Sequence, residues 1–273
     1  MSAHHSPTTG HKFGATRLQG VNWLGMWTLY VKEVQRFLNL YLQTIGAPII
    51  TTLLYLAIFS IAVGRDRPNI HGISFIAFLA PGLIMMAIIQ NAFANTASSM
   101  LSAKIQGNIV DLLMPPLSSA EVTTAFILGG VTRGVAVGAA TALAMLPFVD
   151  FAFAHIWAII YFAVMGSLIL SIIGTLAGIW AEKFDHMASV TNFIIMPLSF
   201  LSGSFYSISR LPELFQQISH FNPFFYLIDG IRYGFTGVAD GSVTVGVVVT
   251  AGLAAILWWI CHRLLDQGWR LKA

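Results

Sequence analysis

The sequence predicts an all-α integral membrane protein: six transmembrane helices, an N-terminal amphipathic interfacial helix, a short cytoplasmic helix after the second span, and an outer re-entrant helical segment before the last. Two observations carry this prediction. Of 273 residues, 56% are apolar and 9% charged, against roughly a quarter charged in a soluble domain. Uncharged or nearly uncharged runs also recur at 37–64, 72–103, 156–181, 187–209 and 241–261, with a further run at 122–149 interrupted only by Arg133. Each exceeds the roughly 20 residues a helix needs to cross hydrocarbon, and a segment surrounded by lipid must satisfy its backbone internally, which a helix does.

Residues 1–20, with His4, His5, Pro7, Gly10 and Gly14, lack the apolar core of a cleavable signal peptide and read as a disordered cytoplasmic tail. Residues 21–273 read as one transmembrane domain with spans at about 41–64, 73–100, 119–147, 156–181, 187–207 and 241–264. Six spans put both termini on one side. If that side is the cytoplasm, Lys12, Arg17, Lys32, Arg36, Lys104, Lys183, Arg263, Arg270 and Lys272 lie inside, and only Arg65, Arg67, Arg210 and Arg232 lie outside. This excess obeys the positive-inside rule and predicts cytoplasmic N- and C-termini.

The net charge of +3 is too small a surplus for a nucleic-acid surface. A single cysteine, Cys261, excludes an internal disulfide and a multi-cysteine metal cluster. No repeat is visible and the two halves do not resemble one another, which favours a six-span subunit that dimerises over an internally duplicated carrier.

Taken in order, residues 21–41 place Trp23, Trp27, Tyr30, Val34, Phe37 and Tyr41 at helical spacing, with Lys32, Gln35, Arg36 and Asn39 mainly on the other side and Glu33 beside them. This is an amphipathic helix expected to lie on the inner membrane surface, as a plain anchor or as a lever. In the segment Lys104 to Pro116, Ile105, Ile109, Leu112 and Leu113 share a helical face, and Pro115 and Pro116 forbid continuation. An apolar face there meets its own bundle, the headgroup layer or another protein.

Arg133 sits among Gly130, Gly134 and Gly138, whose spacing of four opens one helix face to close packing, within the bundle or between subunits. The arginine either serves a substrate path or snorkels to the inner interface. The loop Ala181 to His186 is compact and charged. Residues 222–238 are too short for a span and carry Asp229 and Arg232, so they read as part of a broken or re-entrant pair covering about 210–238.

Chemistry is missing. The sequence has no phosphate-binding G-x-x-x-x-G-K-[ST], no H-E-x-x-H and no G-x-S-x-G. His4, His5 and His11 fall in the tail, and Asp185 and His186 have no neighbouring nucleophile. We therefore expect no enzyme activity and no catalytic, cofactor or metal residue in this chain.

The stretch Ile195-Met-Pro-Leu198, Leu201-Ser202-Gly-Ser204, Leu211-Pro212 and Pro223-Phe-Phe-Tyr226 through Arg232 resembles the signature of bacterial type-2 ABC exporter permeases. The resemblance continues in Phe78-Leu-Ala-Pro81, in Asp111-Leu-Leu-Met-Pro-Pro116 and in the closing arginines, so it covers nearly everything beyond residue 21. It implies an inner-membrane homodimer of six-span subunits, bound to two copies of a separate cytoplasmic ATPase that carries MgATP.

By that resemblance, residues of about 103–114 form a coupling helix docking into the ATPase. Its contacts would be Lys104, Gln106, Asn108, Asp111, Leu112 and Leu113, with Glu182, Lys183 and Asp185 as a second contact. Trp23, Trp27, Lys32, Glu33 and Arg36 belong to a connecting helix, and Pro223, Tyr226, Asp229 and Arg232 to an outer cap. Val110, where relatives often carry an acid, departs from the pattern. The exported molecule is expected to be amphipathic, because few intramembrane charges are present to neutralise an ionic cargo. The alternative, a self-contained carrier or channel, usually needs acidic or histidine relays or charge rings in the spans, and the uncharged runs hold none.

Overall fold

A computed structural model describes residues 20–63, 70, 72–107, 117–208 and 211–267. Among them every regular element is a helix, and one antiparallel bridge joins Ile70 to Ile73. In chain order the helices are α1 (Trp23–Leu38), α2 (Ala47–Val63), α3 (Phe75–Ile105), α4 (Ser119–Met145), α5 (Ile156–Trp180), α6 (Phe184–Val190), α7 (Met196–Leu201), α8 (Glu213–Phe221), α9 (Pro223–Thr236) and α10 (Val243–Asp266).

Several helix starts are local chemistry. The side chain of Asn22 accepts from Gly25 N at 2.9 Å and caps α1. Ser118 and Glu121 form a reciprocal capping box on α4. Glu121 also accepts from Asn22 N at 2.5 Å, which ties the start of α1 to the start of α4. Two wide π-helical turns, Leu42–Gly46 and Thr191–Ile195, run directly into α2 and α7. In both cases a proline, Pro48 or Pro197, is the second residue after the wide turn. Proline in a continuing helix crowds the carbonyl four residues back, here that of Thr44 or Phe193, and a wide turn gives that carbonyl room.

Five helical segments are long and apolar enough to cross a membrane: Leu42–Ala62, α3, α4, α5 and α10. The span expected at 187–207 differs. The chain there is helical from Phe184 to Leu201 through α6, the wide turn and α7, and then leaves the helix at Ser202 and Gly203, where φ is +76°. Polar residues Asp185, His186, Ser189, Thr191 and Asn192 dilute its apolar character, and 18 helical residues reach only about 27 Å. The expected re-entrant segment is a helix pair, α8 and α9, broken at Asn222.

A second difference concerns the helix expected at 103–114. α3 does not stop near residue 100 but continues to Ile105, and Gly107, with φ +72°, ends it. Residues 103–105 therefore belong to the long helix. Asn108, Asp111, Leu112 and Leu113 lie outside the described residues.

α3 is the axis of the bundle. Of its most apolar stretch 83% is buried, against 11% for Leu42–Ala62 and 17% for α10, so α3 sits amid protein while those two face outward. It packs against α4, α5 and α9. Lipid tails are as apolar as leucine, so close approach through small residues and not water exclusion holds such helices together. A Cβ on Gly130 or Gly134 would strike Ser171 or Ser167 of α5, and one on Gly138 would strike Ile88 of α3. The glycine face thus packs inside one bundle. Gly134→Leu is expected to cost about 1–3 kcal/mol through overpacking, read as a lower thermal unfolding midpoint in detergent, with the exposed Gly252→Leu as the unaffected control.

Candidate functional site

The end of the bundle predicted to face outward is organised by one guanidinium. Arg232 of α9 is 1% exposed. It donates to Phe78 O of α3 at 3.3 Å and to Gly203 O at 2.5 Å, and its guanidinium carbon lies 3.8 Å over the Phe78 ring. Its ion pairs are Asp229 at 3.7 Å and Asp240 at 4.0 Å.

Both carboxylates do further work. Asp229 accepts from Asp240 N at 2.8 Å and Gly241 N at 2.9 Å. Asp240 accepts from Ser207 Oγ at 2.7 Å and Ile208 N at 3.1 Å. Three segments are thereby pinned to α9: two distant in sequence, the start of α3 and the turn after α7, and the loop that follows α9 before α10. Gly82 permits the approach, since a Cβ there would lie 2.8 Å from Ser204 O.

Of the residues predicted for this cap, Asp229 and Arg232 meet as expected from their i, i+3 spacing. Pro223 begins α9 behind the Asn222 cap, and Tyr226 donates to His220 O at 3.0 Å, closing the α8–α9 bend. Asp240 was not anticipated, because a lone acid before a span reads as a solvated loop residue. Arg232, counted above among outer-loop cations, is interior, so the loop charge bias is stronger than that count.

At the opposite end, Lys104 Nζ donates to Ile179 O at 2.6 Å and Ala181 O at 2.7 Å. A cation on the last carbonyls of α5 satisfies orphan acceptors and suits the helix dipole. It also joins the end of α3, with Gln106 as its cap, to the Glu182–His186 turn. The described start of the first predicted contact segment, Lys104 and Gln106, thus meets the approach to the second at one junction. Lys183 and Asp185 are exposed there.

α1 turns part of its polar side into the bundle: Glu33 is 3% exposed and accepts from Ser99 Oγ at 2.8 Å. Arg36 pairs with Glu33 at 3.1 Å and donates to Asn95 O, Asn95 Oδ1 and Ser98 Oγ of α3. Trp23 and Trp27 point outward, and Lys32 is exposed. The reason is complementarity: α3 presents the polar stripe Asn91, Asn95, Ser98 and Ser99, which only polar side chains can satisfy in a low-dielectric surround. Arg133 of α4 meets the same stripe, donating to Asn91 Oδ1 at 3.0 Å.

Comparison with known proteins gives concordant findings. A family model described as ABC-2 type transporter matches residues 25–236. The chain is 39% identical over 254 residues to the inner membrane transport permease YadH of Escherichia coli (strain K12), covering 92% of this chain and 98% of that protein. It is 27% identical over 236 residues to nodulation protein J of Rhizobium leguminosarum bv. viciae, covering 84% and 88% respectively. Against nodulation protein J of Sinorhizobium fredii (strain NBRC 101917 / NGR234), identity is 22% over 252 residues, 90% of this chain and 93% of the relative.

Proposed function

Because this chain belongs to the ABC-2 type transporter family, we propose that it is the permease subunit of an ATP-driven exporter in a bacterial inner membrane. It moves an amphipathic molecule, lipid-like, glycolipid or drug-like, out of the cytoplasm or the inner leaflet. It works as a homodimer with two copies of a separate cytoplasmic ATPase, which binds MgATP. Both termini are cytoplasmic, and the helical rod from Phe184 to Leu201 makes the sixth crossing together with the turn that follows it.

The observation that supports this reading most is the Lys104 junction, which ties the end of α3 to the end of α5, just before the Glu182–His186 turn. ATP acts on the permease only if its binding to the partner favours one arrangement of the spans over another. α3 is suited to carry that displacement. It is an unbroken helix of 31 residues, about 46 Å long. Lys104 sits at one end and Phe78, which holds Arg232, near the other. α1 grips the same helix through Glu33 and Arg36.

Solubilising the permease in mild detergent and identifying what co-purifies tests this. A stoichiometric ATPase whose turnover responds to the permease is expected. Its absence, together with transport by the chain alone, would favour a self-contained carrier or channel.

Topology has its own test. In a Cys261→Ser background, a cysteine replacing Asn69 is expected to react with an impermeant maleimide from outside. One replacing Gln106 is expected to react only after the membrane is opened. Labelling of the Gln106 position from outside would overturn the inward placement of the ATPase contacts.

A further inference from the structure

Arg133 lies near the middle of α4, and its environment is short of negative charge. Its one described hydrogen bond goes to Asn91 Oδ1, and its Nε is buried without an acceptor. None of the described ion pairs includes it: those of Arg36 and Arg232 account for Glu33, Asp229 and Asp240. The like charge of Arg36, one helical turn along the same α3 stripe, bears on it. Two guanidiniums therefore face Asn91 and Asn95 with one carboxylate between them. An intramembrane cation left without a counter-charge is costly and marks a functional path.

A cleft of about 280 Å³, bordered by the Asn91 that Arg133 holds, opens between the Leu42–Ala62 rod and α3. Gln43, Thr51 and Tyr55 line one wall, and Met86, Gln90 and Asn91 the other. Asn91 is shared: it closes the cleft on one side and holds Arg133 on the other. The volume is just below that of a typical small-molecule site. It suits a headgroup and the first methylenes of a chain, with the rest of the tail leaving toward lipid along the outward-facing α2.

We propose that this cleft binds an anionic amphipath, with an acidic headgroup (phosphate, sulfate or carboxylate) at Asn91 within the field of Arg133 and its alkyl chain along Met86 and Leu83. As a statement about cargo it rests on the export reading above and deepens it: the transported amphipath is acidic. The binding itself requires no ATPase. The headgroup chemistry is shared by acidic lipids of the bilayer and by a cargo that is not a bulk lipid, and the experiment separates them.

The probe is radiolabelled dodecyl phosphate, titrated onto the purified full-length chain in phosphatidylcholine nanodiscs, with dodecylphosphocholine as the zwitterionic match of equal chain length. Saturable binding of dodecyl phosphate, at least tenfold tighter than the choline ester, is expected. Arg133→Gln should weaken it about tenfold, or roughly 1.4 kcal/mol, while Arg133→Lys should stay within about threefold. Gln90→Trp, which fills the cleft and leaves Arg133 intact, should abolish binding, and it decides the matter if Arg133→Gln fails to fold.

Adding phosphatidylglycerol to the nanodisc separates the sources. Full displacement at membrane-like content assigns the site to a bilayer lipid, and persistent binding assigns it to cargo. Equal binding of the two dodecyl probes, or unchanged binding in both Arg133→Gln and Gln90→Trp, overturns the proposal. If binding fails while an ATPase still co-purifies, the export reading stands without this site. If binding holds while no ATPase partner is found, the site stands and the export reading falls.

Discussion

Replacing Arg232 with alanine is expected to reduce transport at least tenfold while leaving most of the chain's assembly with its partners in place. The substitution leaves the buried Asp229 without the cation it pairs with and takes one partner from Asp240. Breaking one side of a buried ion pair typically costs about 3–5 kcal/mol. That penalty is local, because the contacts of Arg232 go to Phe78, Gly203, Asp229 and Asp240, all at one end of the bundle. The glycine packing of α4 on α5 and the Lys104 junction do not involve it.

Arg232→Lys should recover only part of the loss. An ammonium restores charge but not the planar stack on Phe78 or the simultaneous donation to two carbonyls. Transport in vesicles and oligomer content by size exclusion are to be measured on the same preparations. A parallel fall in both would make Arg232 a folding element, and no change in either would remove the α9 cap from a role in transport.

The second large effect is expected for Leu112→Asp combined with Leu113→Asp. If this segment docks as proposed, its two leucines supply apolar area for the partner, and two carboxylates there would have to be desolvated on docking. Loss of a co-purifying ATPase by at least tenfold, with normal insertion and unfolding midpoint of the permease, is the expected result. Retention of the ATPase with unchanged transport would sink the assignment of this segment as the coupling contact.

The residues differ in how far the sequence alone locates them. The spans at 41–64, 119–147 and 156–181 are legible because length and hydropathy are properties of a contiguous run, and the helical segments Leu42–Ala62, Ser119–Met145 and Ile156–Trp180 follow them closely. The Asp229–Arg232 pair is legible because i, i+3 neighbours on a helix meet whatever surrounds them. The 187–207 run misleads in extent, since an apolar count does not register Gly203 adopting a positive φ. The 103–114 segment misleads at its start, since the charge of Lys104 reads as a helix boundary when it is in fact a cap on the neighbouring α5.

What the sequence by itself determined is therefore the class of molecule, most of its crossings and the amphipathic first helix, because lipid imposes those through local length and polarity. Which way that first helix faces was decided by tertiary structure alone. Glu33 and Arg36 turn inward because α3, 59 to 66 residues away in sequence, offers Asn95 and Ser99. Asp240 likewise becomes a partner of Arg232 only when the loop before α10 folds over α9. In a medium that solvates neither charge nor backbone, a polar side chain must find its partner within the protein, and the identity of that partner depends on packing between segments far apart in the chain.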